Sequence, residues 1–120
     1  MFLQKKSESL GYAIKGLAIA WSEEANFRFE VIWALLTLAL AWTLQLSRFE
    51  FLIIIFMIGF VLAAEALNTA LEELCDKFQP TQDPHIAKIK DLAAAAVLIA
   101  SLTSVVVGCV IFIPHILTLL

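Results

Sequence analysis

No aspartate, glutamate, lysine or arginine occurs between Leu92 and Leu120. A helix needs ~20 apolar residues to cross a ~30 Å hydrocarbon core, so this segment alone is long enough to span a membrane. Two further runs share its character: FEVIWALLTLALAWTLQL at Phe29–Leu46 and FLIIIFMIGFVLAA at Phe51–Ala64. Composition excludes the soluble alternative. The chain of 120 residues is 62% hydrophobic and 16% charged, against roughly 45–50% and 25% in soluble domains. Its two cysteines, Cys75 and Cys109, exclude a secreted disulfide scaffold. The fold class that follows is an all-α integral membrane protein.

The chain reads as one domain, residues 1–120. No apolar core follows the early lysines as a cleavable signal would require. Leu10, Ile14, Leu17 and Trp21 recur on one helical face, which predicts an amphipathic surface helix over about residues 7–28. An extended lead-in to the first span is the plainer alternative. Three transmembrane helices are expected over about 29–46, 49–78 and 89–120. A short turn at Ser47–Glu50 joins the first two. The second helix outlasts its apolar run, because EALNTALEELCDK contains neither Gly nor Pro. The loop QPTQDPH, with Pro80 and Pro84, ends it.

Basic residues give the orientation. Lys5, Lys6, Lys15, Arg28, Lys77, Lys88 and Lys90 fall on one side, and only Arg48 on the other. The positive-inside rule then places the N-terminus in the cytoplasm and the C-terminus outside. In the third span Ala96, Ala100, Ser104 and Gly108 are spaced by four, and Gly59 and Ala63 repeat the spacing in the second. Small residues at that spacing let helices approach closely in lipid, although they are common in membrane helices generally. Three helices cover a polar site poorly, so an oligomer is expected.

The most informative segment is Glu65–Asp76. Glu65, Asn68, Glu72 and Asp76 are spaced +3, +4 and +4, one polar stripe along a helix. An ionisable group beside an apolar span costs about 3 kcal/mol on insertion scales. Carboxylates on one face can hold a hard cation such as Mg²⁺ or act as a general base. A polar seam between subunits, with Asn68 as interhelical glue, is the structural alternative. Glu23, Glu24, Arg28 and Glu30 form a second cluster at the mouth of the first span. Read alone, Glu24 and Arg28 are an exposed i, i+4 ion pair of little energetic weight. Lys88, Lys90 and Asp91 open the third span. Lysine there can hold a phosphate or snorkel to the interface. There is no P-loop, no C-x-x-C and no basic-aromatic stripe for nucleic acid. His85 and His115 are isolated from one another, and both cysteines read as packing residues.

Together AEALNTALEELCD (64–76), KIKDLAAAAVLIA (88–100), WSEEANFRFE (21–30) and GYAIKGL (11–17) resemble the prokaryotic diacylglycerol kinase family, which includes undecaprenol kinases. The resemblance covers about residues 5–115. It implies a homotrimeric lipid kinase of the bacterial inner membrane, with three spans and a surface helix per subunit. Such an enzyme transfers the ATP γ-phosphate, with Mg²⁺, to a membrane lipid alcohol. By the family pattern Glu65 is the general base, and Glu24 and Glu72 hold the metal. Asn68 supports the site. Tyr12, Asn68, Asp76, Lys90 and Asp91 contact ATP, with Lys5 and Asp83 as further candidates, and Trp21, Arg28 and Glu30 line the lipid side. Glu72 lies seven residues beyond Glu65, ~10 Å along the axis, which puts phosphates toward water and the base toward lipid.

The loop at 79–85 departs from the family by its two prolines. That loop and the NFRFE stretch look more like the undecaprenol kinase branch, which favours a polyprenol acceptor over diacylglycerol. Two other classes fit the composition. A small proton-coupled transporter would use Glu65 as its intramembrane carboxylate. A non-catalytic membrane subunit would use the stripe as a seam. The transporter does not account for Glu24, Glu72, Asp76 and Lys90–Asp91 gathering on one side, and the non-catalytic subunit predicts that Glu65→Gln leaves function intact but weakens the oligomer.

Overall fold

The computed structural model describes residues 1–78 and 83–120. Pro80 and the first part of the predicted loop lie outside the described residues. Four helices follow in order: α1 Phe2–Glu23, α2 Ala25–Thr43, α3 Arg48–Phe78 and α4 Pro84–Leu117. The last three are long and apolar enough to cross a membrane. Among the described residues there is no strand.

Helix ends and hydropathy ends do not coincide. The surface helix was expected over 7–28; α1 instead runs from Phe2 and stops at Glu24, whose backbone is extended at φ −109°, ψ 105°. The first long helix therefore begins at Ala25, ahead of the apolar edge at Phe29. A helix continues wherever its backbone bonds can form, whereas an apolar run marks only where lipid can touch it. Arg28 fixes the break. The Glu24–Arg28 ion pair expected from the i, i+4 spacing does not form. Arg28 Nη1 instead donates to the carbonyls of Trp21 at 2.7 Å and Ser22 at 3.2 Å. These are carbonyls left without partners at the end of α1.

The turn from α2 to α3 is a Schellman motif. Gln45 N–H bonds to Trp42 O and Leu46 N–H to Ala41 O, with Gln45 in the left-handed region at φ 56°. A capping box then starts α3. Ser47 N–H donates to Glu50 Oε1 at 3.0 Å, and Glu50 N–H donates to Ser47 Oγ at 3.2 Å. At the head of α4, Asp83 Oδ1 accepts from the N–H groups of His85 (2.8 Å) and Ile86 (3.4 Å), with Pro84 at the first helical position. Within the spans, Thr37, Thr43 and Thr103 bond to carbonyls four residues back, so these three hydroxyls are not carried unpaired into lipid.

α3 and α4 form the most extensive packing, α2 lies against α3, and α1 touches α2. On α3 the buried positions are Ile54, Met57, Val61, Glu65 and Cys75; on α4 they are Ala93, Ala100 and Ile111. Ala100 is fully buried. The four-residue stripe expected on α4 is partly displaced: Ala100, Ser104 and Gly108 stay in or near the seam, but Ala96 is exposed and Ala93 takes its place. Four residues overshoot one turn by ~40°, so a strict +4 row winds off the contact face. A seven-residue repeat stays on it. Gly59 and Ala63 are exposed and do not contribute to packing within the chain. Cys75 packs in the seam as expected, whereas Cys109 is exposed.

Ionic contacts tie the antiparallel pair at both ends. Lys90 Nζ lies 2.7 Å from Asp76 Oδ1. At the opposite end the Glu50 carboxylate accepts from His115 Nε2 at 3.1 and 3.2 Å. From Glu50 to Glu65 the helix rises only ~22 Å, less than the ~30 Å hydrocarbon thickness. One of these two carboxylates must therefore enter the apolar layer, and Glu50 carries a partner there.

The chain is not closed on itself. Its radius of gyration is 17.8 Å, against about 14 Å for a compact chain of this length. Its accessible surface is 9130 Å², against about 6,500 Å² for a folded monomer of this mass. The apolar face of α1, with Leu10, Ile14, Leu17 and Trp21 about half exposed or more, covers nothing within the chain. Lipid or other copies must supply the missing contacts.

Candidate functional site

Glu65 is the buried charged side chain among the described residues, 9% exposed. It is buried because its place on α3 continues the Ile54–Met57–Val61 face by another four residues. Among the described residues it makes no hydrogen bond. The carboxylates of Glu30, Glu72 and Glu24 all lie within electrostatic range of it. They come from two different helices and the junction before α2. The acidic mouth of α2 thus lies within electrostatic range of the acidic stripe of α3.

Asn68 and Glu72 form the next layer toward the Asp76 end. Asn68 Nδ2 donates to Glu72 Oε1 at 3.1 Å, while Asn68 Oδ1 is buried with no partner. A buried, unpaired acceptor costs ~1–3 kcal/mol, so it is a position where a ligand would be welcome. Glu24 bridges the two helices as the cap of both α1 and α2, and its side chain makes no capping bond. Its carboxylate is therefore not committed to the backbone. Among the described residues no group of three His, Cys, Asp or Glu side chains is placed to hold a metal by itself. Two carboxylates and an amide oxygen are nonetheless an all-oxygen set. That suits Mg²⁺, which takes one or two protein carboxylates and completes its shell with water and phosphate.

Beyond this layer Asp76 and Lys90 meet across the helix pair, both partly exposed. Asp91 follows Lys90 on α4 and is exposed. Asp83 lies at the same end, with Oδ1 engaged as the α4 cap. The remaining sequence-predicted residues are not gathered into the site within one chain. Tyr12 is 70% exposed on α1, and Lys5, about two turns earlier on the same helix, is exposed as well. Trp21 is half exposed, with its carbonyl held by Arg28.

Below Glu30 an apolar groove of about 390 Å³ opens between α2, α3 and α4. Trp33 and Thr37 of α2, Met57 of α3, and Ser101, Ser104 and Gly108 of α4 line it. Sequence reasoning had not named Thr37 or Ser101 as site residues. The available signal was the small-residue content of α4, which had been assigned to helix packing. Glu30 and the hydroxyls of Thr37, Ser101 and Ser104 give this otherwise apolar groove a few polar groups, the usual make-up of a small-molecule site.

Comparison with known proteins agrees with this geometry. Residues 11–112 match the family described as "Prokaryotic diacylglycerol kinase". The chain is 32% identical over 108 residues to the diacylglycerol kinase of Escherichia coli strain K12, covering 90% of this chain and 88% of that one. It is 32% identical over 112 residues to the undecaprenol kinase of Bacillus subtilis strain 168, covering 93% and 91%. It is 30% identical over 105 residues to the diacylglycerol kinase of Haemophilus influenzae, covering 87% and 89%.

Proposed function

Because the chain belongs to the prokaryotic diacylglycerol kinase family, we propose that this multi-pass bacterial membrane lipid kinase transfers the ATP γ-phosphate to the hydroxyl of undecaprenol in preference to diacylglycerol. The observation that carries the reading is the buried Glu65 within electrostatic range of Glu24, Glu30 and Glu72, with Glu30 also lining the apolar groove. The polyprenol preference is supported by the NFRFE stretch and the Pro84-containing loop, which resemble the undecaprenol kinase branch. The enzyme works as a trimer in the inner membrane, with its N-terminus in the cytoplasm and its C-terminus outside. Seven of the eight basic residues lie on the N-terminal side.

Glu65 takes the proton of the acceptor hydroxyl, which the groove delivers with its hydrocarbon chain buried. Glu24 and Glu72 would hold Mg²⁺, with Asn68 orienting Glu72 through its amide. Bound Mg²⁺ supplies charge neutralisation to the phosphate oxygens. Lys90 exchanges Asp76 for a nucleotide phosphate, and Asp91, with Tyr12 and Lys5 of a surface helix, completes the ATP contacts. Arg28, Glu30 and Trp21 border the lipid. Phosphoryl transfer asks mostly for positioning and electrostatic stabilisation, and this axial order provides it without a P-loop. The polar end admits phosphate, and Glu65 meets lipid ~10 Å nearer the apolar layer than Glu72.

The test is ATP- and Mg²⁺-dependent phosphate transfer in mixed micelles, with undecaprenol and diacylglycerol offered separately and Glu65→Gln as control. Faster labelling of undecaprenol with an inactive control supports the reading. Faster labelling of diacylglycerol overturns the acceptor assignment. No labelling by folded protein overturns the proposed chemistry.

A further inference from the structure

The end of the bundle away from Glu65 carries a second cavity. A groove of about 460 Å³ lies along the α2–α3 turn, lined by Ala41, Trp42, Gln45, Arg48, Phe51 and neighbouring leucines. Its volume falls in the range of small-molecule sites, roughly 300–1,000 Å³. Its walls are apolar apart from Gln45 and Arg48, which sit together at the turn. Trp42 is 78% exposed and Leu52 57%, so the groove opens sideways, toward where lipid surrounds the helix.

Arg48 is the only lysine or arginine at this end of the molecule. The positions three and four residues on, where a helical partner would sit, are Phe51 and Leu52, and the nearby Glu50 is engaged elsewhere. One of its oxygens accepts from Ser47 N–H, and both accept from His115. Among the described residues Arg48 forms no ion pair. The turn geometry holds this arrangement in place. Gln45 is locked in the Schellman motif, and the capping box pins Ser47 to Glu50. An uncommitted guanidinium at the lip of an apolar groove therefore faces lipid headgroups.

From these contacts the geometry points to a lipid-binding site here, distinct from the catalytic groove. It takes a phosphate-bearing membrane phospholipid, with the phosphate on Arg48 and an acyl chain along Phe51 and Leu52. Guanidinium matches phosphate oxygens in a forked, charge-assisted geometry. An indole at headgroup level, as at Trp42, suits the boundary between the two parts of the lipid. The occupant is structural: nothing in the groove can carry out chemistry on it, and the catalytic carboxylates lie near the other end of α3. The site rests on the membrane reading alone and does not depend on the kinase reaction.

The test uses the full chain carrying Trp21→Phe and Trp33→Phe, so that Trp42 is the sole emitter. It is reconstituted into vesicles of neutral glucosyl-diacylglycerol. Chain-brominated phosphatidylglycerol, or chain-brominated glucosyl-diacylglycerol, is then titrated in as quencher. The expected result is about fivefold stronger apparent association of the phosphatidylglycerol, the advantage of one cation beside an anionic lipid. Arg48→Gln should abolish that preference, and Arg48→Lys should keep part of it. Unchanged helix content checks that the variants are folded. Equal quenching by both lipids would overturn the site and leave bulk lipid or a second copy as the occupant. A phosphatidylglycerol preference that survives Arg48→Gln would overturn the role of Arg48 and the site with it.

Discussion

Replacing Glu65 by glutamine should make the protein more stable while it stops turnover. The side chain is 9% exposed and accepts no hydrogen bond among the described residues, and Glu24, Glu30 and Glu72 act on it electrostatically. Insertion scales put a carboxylate at the centre of a membrane helix at about 2.5–3.5 kcal/mol. Glutamine keeps the shape, removes the charge and retains part of the polar cost, so the expected gain is about 1–2 kcal/mol. Loss of the base should lower the rate by at least ~10²-fold. Stability would be read from detergent-titrated unfolding in mixed micelles, followed by circular dichroism without Mg²⁺. Turnover would be read with saturating ATP and lipid. Added Mg²⁺ should narrow the stability difference, because the cation relieves the same crowding of carboxylates in the parent protein. A less stable Glu65→Gln protein would refute the reasoning, since it would mean that the carboxylate makes a native contact that outweighs its desolvation. Retained turnover would refute the role of Glu65 as base.

Gln45 adopts φ 56° at a position that favours glycine, so Gln45→Gly should stabilise the fold by about 0.5–1 kcal/mol, measured by the same unfolding titration. Asp83→Ala should cost about 1 kcal/mol through loss of the α4 cap. Asp83→Asn should restore stability and leave the KM for ATP within about twofold, as for a residue whose work is capping. Asn68→Ala removes the side chain that orients Glu72 and should raise the Mg²⁺ concentration for half-maximal activity about tenfold or more, read from a Mg²⁺ titration at fixed ATP. Arg28→Met leaves the carbonyls of Trp21 and Ser22 unanswered. Amide hydrogen exchange at the C-terminal end of α1 should then accelerate about fivefold or more, the cost of at least one charge-assisted bond.

Local pattern made much of this molecule legible. Hydropathy located the three long helices because apolar length is a direct requirement of the bilayer. The +3, +4, +4 spacing placed Glu65, Asn68 and Glu72 on one face, which is buried at Glu65 and half-buried at Asn68 and Glu72. Asp76 and Lys90 were separate candidates in the sequence and are bonded to one another in the structure. The break at Glu24 was not legible, because WSEEANFRFE contains no glycine or proline. It is held by Arg28 reaching back seven residues, a contact no short-range rule encodes. The Ala96 position failed for a geometric reason: a +4 row is straight in the sequence and helical in space.

The sequence by itself determined that the chain is a membrane protein of helices, and that one helix carries carboxylates where lipid begins. Both follow from solvation, which depends on the residues present and their period. Only the tertiary structure decided that Glu24 and Glu30 come within electrostatic range of the buried Glu65, that Asn68 is left with an unpaired oxygen, and that Glu50 meets His115. These outcomes depend on the relative rotation of packed helices. A few tens of degrees there exchange one neighbour for another, and local sequence spacing does not encode that rotation.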